Sequence, residues 1–274
     1  MPLKMYDEKP SKKSLQDVRH VIAVLGGKGG VGKSTVTVNL ALALKKQGKR
    51  VGILDADVYG PSIRQLLGDE TFPTRAGDQI APGVTKGIRV ISTAFFDSKQ
   101  LSSVVRAPIA NQIIEQFLSQ ISWGELDVLL VDFPPGTGDI QITLMQKARL
   151  SGAVIVTTPQ EVALLDVRKS IEMCQLMEVP VLGVVENMSF FIHDQERYAL
   201  FGEGGGKWLA NEFDIPLLGQ IPIDPEISRT GDEGRSLFET KGVSRGHFEE
   251  VAKRLQKRLL KGREREMQEW EWKT

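Results

Sequence analysis

The ten residues GGKGGVGKST, from 26 to 35, constrain this chain more tightly than anything else in it. Within them Gly27, Gly32, Lys33 and Ser34 have the Gly-x-x-x-x-Gly-Lys-Ser spacing of a phosphate-binding loop. The loop follows an apolar run, VIAVL at 21 to 25, and opens a segment of helical spacing, which is the context such a loop requires. Its glycines let backbone N–H groups converge on phosphate oxygens, and a helix starting near Ser34 adds its positive end. Lys33 brings a point charge to the β and γ phosphates, and Ser34 offers its hydroxyl to Mg2+. A glycine-rich turn without a ligand leaves the Gly and Lys spacing unexplained. Lys28 is a lysine more than the cradle needs.

Further apolar runs recur along the chain: RVGIL at 50 to 54, IRVI at 88 to 91, DVLLV at 127 to 131, AVIVT at 153 to 157 and VLGVV at 181 to 185. They are continuous rather than alternating, as strands buried on both faces are. Between most of them lie segments with helical spacing, such as Ser34 to Gln47, closed by Gly48, and Ile109 to Gln120. Strand and helix in alternation predict an α/β fold: a doubly wound, mainly parallel sheet with helices on both faces, in three layers. With no internal repeat and no low-complexity linker, one domain over 19 to 262 is expected, after a flexible segment at 1 to 18. Residues 69 to 87 read as a surface excursion. Phe248, Val251, Ala252, Leu255 and Leu259 form one face of a last helix, and a charged mobile tail at 263 to 274 follows Gly262.

Two more segments supply carboxylates where a parallel sheet binds its ligands. Asp132, in DVLLVDFPPGTGD, follows an apolar strand, as a residue holding Mg2+ through water should. The PPGTG after it is suited to sensing a γ phosphate. In LDADVYGPS, Asp57 is placed to orient or deprotonate the attacking water; Asp55 reads either as metal-side support or as a turn and cap residue. The 35 basic residues are balanced by 35 acidic ones, so nothing in the charge calls for nucleic acid or an anionic membrane. The first twenty positions hold no apolar run resembling a signal peptide and no run elsewhere reaches the length of a membrane span, so a cytoplasmic protein is expected.

With Lys28 in place the loop reads KGGVGKS, which resembles the deviant phosphate loop of the MinD, ParA and nitrogenase iron protein superfamily. DADVYGPS, VDFPPGTGD, TTPQEVALLDVRK, VENMS, FGEGGG and PLLGQIPIDPEI, in order over residues 18 to 258, are similar to the Mrp (ApbC) family of iron-sulfur cluster carrier ATPases. The resemblance implies a homodimer in which Lys28 reaches across to the partner's nucleotide. It implies ATP contacts along Gly27, Lys28, Gly29, Gly30, Val31, Gly32, Lys33, Ser34 and Thr35, with Asp57 and Asp132 as the two switch carboxylates. Asn187 matches the adenine-reading position, although a turn residue is the other reading, and Pro222 to Asp224 matches the loop that packs on the base.

Members of that family carrying a cluster have Cys-x-x-Cys shortly after VENMS, so that a dimer provides four thiolates. Here that stretch is FFIHDQERYALFGEGGG, about two residues shorter and without cysteine. The single cysteine, Cys174, lies on the helical stripe Leu164, Val167, Ile171, Cys174, Met177, where a core thiol belongs, and His193 stands in a polar loop. The 4Fe-4S cluster implied by the resemblance therefore has no four-thiolate ligand set, and no iron-sulfur ligand is expected. Phe190, Phe191, Ile192, Tyr198, Leu200 and Phe201 either pack locally or form an apolar loop toward a partner. The resulting expectation is an ATP-hydrolysing homodimeric switch acting on iron-sulfur apoprotein clients or assembly factors; a cluster-free interaction module and a MinD or ParA type positioning ATPase are the alternatives.

Overall fold

The computed structural model describes residues 15 to 95 and 107 to 271, with side chains as far as Lys261. The loop's strand, β1 (Val21–Gly26), lies in the middle of an eight-stranded sheet in the order β12-β9-β8-β1-β7-β2-β6-β5. It pairs with β7 (Val128–Asp132) and β8 (Gly152–Thr157), and with the other parallel strands β2 (Val51–Asp55), β6 (Ile88–Ser92) and β9 (Val181–Glu186) these are the apolar runs expected from the sequence. β12 (Leu217–Gln220) adds a parallel edge. At the other edge β5 (Gly83–Thr85) is antiparallel to β6. The stretch 69 to 87 is thus more than a surface excursion: it carries the hairpin β3 (Thr74–Ala76) and β4 (Gln79–Ala81), buries Ile80 and delivers β5 to the sheet.

Alternate residues of each strand enter different cores, which is the pleat at work. Val21, Ala23 and Leu25 of β1 meet α3 (Ala107–Gln120), α4 (Asp139–Lys147), α5 (Glu161–Leu176) and α6 (Gly205–Glu212). Ile22 and Val24 meet α1 (Lys33–Lys46), α2 (Ile63–Leu67) and the last helix, α8 (Ser244–Glu271). α1 is buried nearly all round, from Val36 through Leu44, because α8 covers its outer side. The expected face of α8 is fully confirmed: Phe248, Val251, Ala252 and Leu255 are wholly buried and Leu259 nearly so.

α8 does not stop at Gly262 but continues to Glu271. A glycine inside a helix costs only about 1 kcal/mol, and the charged residues beyond it are good helix formers. The expected mobile tail is therefore helical as far as Glu271, and residues 272 to 274, like residues 1 to 14, lie outside the described residues. Val18, assigned to a flexible segment, is buried and bridged to Leu126, so the ordered chain begins before it. No described helix is long and apolar enough to cross a membrane.

Candidate functional site

The phosphate loop leaves β1 at Gly26 and crosses α5 at Gly27. A Cβ on Gly27 would stand 2.5 Å from the backbone carbonyl carbon of Asp166 and 2.7 Å from its Cβ, so only glycine fits there. Gly30 and Gly32 adopt the left-handed conformation, with φ of 85° and 80°. Nothing stands in front of Gly29 or Gly30, and α1 starts at Gly32 without a side-chain cap. Its first-turn N–H groups are thereby left for an anion, which is what a phosphate cradle has to offer.

Asp132 ends β7 beside β1 and is completely buried. Its Oδ1 receives Lys33 Nζ at 2.8 Å and Thr37 Oγ1 at 3.0 Å, and its Oδ2 receives Ser34 Oγ at 2.5 Å. Lys33 is itself only 7% exposed, so this is a buried ion pair with every carboxylate oxygen engaged. Lys28 differs: it is half-buried at the loop's start and makes no hydrogen bond or ion pair with any described residue.

Asp55 lies opposite Asp132 in the β2–β7 register and is also completely buried. It accepts the Ser92 hydroxyl at 2.9 Å, the Ile63 N–H at 3.3 Å and the Asp57 N–H at 3.2 Å. Burial, followed by the neighbouring charge of Asp132, pushes its carboxyl up to about 7, although Ser92, Ile63 and Lys33 all favour ionisation. These contacts make Asp55 the organiser of the turn from β2 into α2. Asp57, half-buried on that turn, binds the Gly60 N–H through Oδ1 at 3.0 Å.

Asn187 reaches the loop from the other side. Its Nδ2 donates to the Val31 carbonyl at 2.9 Å, and a Cβ on Gly32 would overlap that amide. The chain after β12 runs beside the turn containing Asn187, since the Ser189 N–H donates to Ile221 O and the Ile223 N–H to Phe190 O; Pro222 lies between them. Asp224 is not brought to the loop. It caps α7 (Pro225–Asp232) through the Glu226 N–H at 2.9 Å and accepts the Ser244 hydroxyl at 2.7 Å, tying α7 to α8.

Three residues with roles here escape sequence reading. Thr37 and Ser92 donate to Asp132 and Asp55, and Glu186, buried at the end of β9, accepts from Ser189, the Gly206 N–H and Gln220. Polar side chains at the carboxyl ends of strands were the available signal for Ser92 and Glu186. For Thr37 it was a hydroxyl one helical turn after Lys33.

The donor set suits nucleotide and Mg2+: an open N–H cradle, a buried lysine and hard oxygens from Ser34, Asp132 and Asp55. It does not suit an iron-sulfur cluster. Cys174 is fully buried in α5, where burial pushes its thiol up to about 12, and the described residues hold no group of three or more His, Cys, Asp or Glu able to take a metal. At the place of the missing cysteine pair the chain forms a hairpin, β10 (Phe191–His193) and β11 (Glu196–Tyr198), turned by Asp194 and Gln195. Phe190 before it enters the core under Arg197, while Ile192, Tyr198, Leu200 and Phe201 stay exposed. Phe190 thus packs locally, which is one of the two readings the sequence allowed.

A family model described as NUBPL iron-transfer P-loop NTPase matches residues 17–258. A Synechocystis protein named iron-sulfur cluster carrier protein is 46% identical over 246 residues, covering 85% of this chain and 70% of that protein. A like-named Aquifex aeolicus protein is 46% identical over 232 residues, or 83% of this chain and 64% of its own length. Among solved structures, a nucleotide-binding protein from Archaeoglobus fulgidus in complex with ADP superposes with a TM-score of 0.75 at 42% identity, over 86% of this chain and 94% of that one.

Proposed function

The chain belongs to the NUBPL iron-transfer P-loop NTPase family, and on that premise we propose that it binds and hydrolyses ATP as a homodimer whose interface follows the nucleotide state. The observation that carries this reading is the junction of Lys33, Ser34 and Asp132 beneath an open glycine cradle. Phosphoryl transfer needs little covalent help from protein, so positioning and charge do the catalysis. Lys33 leaves Asp132 for the β and γ phosphates. Ser34, Asp132 and Asp55 would hold Mg2+, which would neutralise charge building on the phosphate oxygens. Asp57 orients the attacking water, and Lys28, uncommitted in its own subunit, completes the site of the neighbour. Asn187 and Pro222 border the base. The test is light scattering combined with turnover: hydrolysis should require Mg2+, and the mass should double with a slowly hydrolysed ATP analogue and halve again with ADP. An unchanged mass in both nucleotides sinks the switch.

The work done by that cycle is assembly of iron-sulfur clusters or their transfer to apoproteins, as the relatives' names suggest. The buried Cys174 favours a version in which this chain docks on an assembly factor or client and holds no cluster itself. With a thiol near 12, only about one molecule in ten thousand is ionised at pH 8. Cys174 should therefore resist alkylation until the protein is unfolded, and anaerobic reconstitution with iron and sulfide should give no charge-transfer absorbance. A full-occupancy cluster, formed equally by the Cys174→Ser variant, would overturn the cluster-free version while leaving the ATPase intact.

A further inference from the structure

We propose that Thr37 is a positioning residue for metal-assisted hydrolysis, holding the Asp132 carboxylate still once Lys33 has left it. The inference rests on the nucleotide reading above and concerns a residue that touches neither phosphate nor metal.

Thr37 is completely buried in α1, between Val36 and Val38, in a helix whose inward side chains are otherwise almost all apolar. Valine has the same shape, so packing alone gives no reason for the hydroxyl. A threonine inside a helix satisfies that hydroxyl on the carbonyl four residues back, and Thr37 has this option at 3.0 Å from Lys33 O. It also has a second acceptor at the same 3.0 Å, Asp132 Oδ1, from a strand 95 residues away in sequence. One proton serves two acceptors, and the charged one makes the stronger bond.

The two arrangements matter at different stages. Without nucleotide, Asp132 is held by Lys33 and Thr37 on Oδ1 and by Ser34 on Oδ2. With Mg-ATP bound, Lys33 turns to the phosphates and Ser34 to the metal, so Asp132 loses its cation and its donor on Oδ2 together. Thr37 lies one turn deeper and stays. It becomes the protein donor that keeps a buried carboxylate aimed at the metal water, and its loss leaves that carboxylate free to rotate.

The test compares Thr37→Val, which removes only the hydroxyl, with Thr37→Ser, which keeps it. A fluorescent ATP analogue is titrated in EDTA and then at increasing Mg2+, with kcat and KM measured in parallel. A hydrogen bond to a charged group is worth about 1.5–3 kcal/mol, so Thr37→Val should raise the half-saturating Mg2+ and lower kcat by about tenfold or more. Affinity in EDTA and KM should move by less than about twofold, and Thr37→Ser should restore the Mg2+ response. Thr37→Val with an unaltered Mg2+ midpoint and kcat overturns the proposal, as does Thr37→Ser being as defective as valine, which would assign the effect to packing. A wild-type protein that binds no nucleotide in either condition overturns the nucleotide reading itself and is told apart from both outcomes at the first titration.

Discussion

Lys28→Ala should bind ATP within about threefold of the wild-type protein and yet lose turnover by about a thousandfold, the range seen when a cation supplied by a neighbouring chain is removed from a phosphoryl-transfer site. Binding survives because the residues that cradle phosphate are independent of it. Lys33 is buried and locked to Asp132, whereas Lys28 sits half-exposed at the entrance to the loop with no partner of its own among the described residues. A charge that no described residue engages is placed to reach outward. Mixing gives the decisive version of the experiment. Lys28→Ala lacks the outgoing lysine but keeps Asp57, and Asp57→Asn lacks the water-orienting carboxylate but keeps Lys28. Each alone should be nearly inactive. Random pairing in a two-fold dimer makes half the dimers mixed, each with one complete site, so activity should return to about a quarter of wild type. Full turnover by Lys28→Ala, or no recovery on mixing, would mean that the lysine acts within its own subunit or not at all.

Lys33→Ala should damage the protein twice, and the two effects can be separated. Removing the lysine strands a carboxylate with zero exposure, and breaking a buried pair from one side costs about 3–5 kcal/mol. Ser34 and Thr37 still donate to Asp132, so the loss should fall near the lower end, about 3 kcal/mol by urea unfolding. Nucleotide affinity should fall by about a hundredfold, since a charged hydrogen bond of about 3 kcal/mol is lost at the phosphates. Adding Asp132→Asn removes the orphaned charge, so the double variant should regain most of the stability and none of the affinity. A single variant as stable as wild type would show that the buried pair contributes nothing to the resting fold.

These two lysines also mark what sequence could and could not reveal. The cradle is built from neighbours in the chain, and so its whole chemistry is visible in ten letters. The same holds for the central strands, whose burial on both faces writes itself as unbroken apolar runs. β12 escaped because LLGQ is short, carries a glycine and lies at an edge, and β5 because three residues of GVT announce nothing by themselves. Gly262 misled because the rule that glycine ends a helix is a preference of about 1 kcal/mol, and the surrounding residues outvote it. The contacts of Thr37 with Asp132 and of Ser92 with Asp55 join residues 95 and 37 positions apart. Such pairs arise from sheet order, and the order found here sets β7 (Val128–Asp132) between β1, which ends at Gly26, and β2, which ends at Asp55, with no local trace.

The hairpin after Asn187 decides where a cysteine pair could be rebuilt. Its register pairs Phe191 with Tyr198, Ile192 with Arg197 and His193 with Glu196, and its two turning residues, Asp194 and Gln195, both have positive φ. Side chains on a strand alternate sides, so positions three apart along one strand face opposite ways, whereas His193 and Glu196, also three apart in the chain, are cross-strand partners and share a side. Cysteines at those two positions would therefore face each other on one side of the hairpin, with the Asp194–Gln195 turn left as it is. An attempt to graft thiolates onto this protein should begin at His193 and Glu196, both exposed beside the turn.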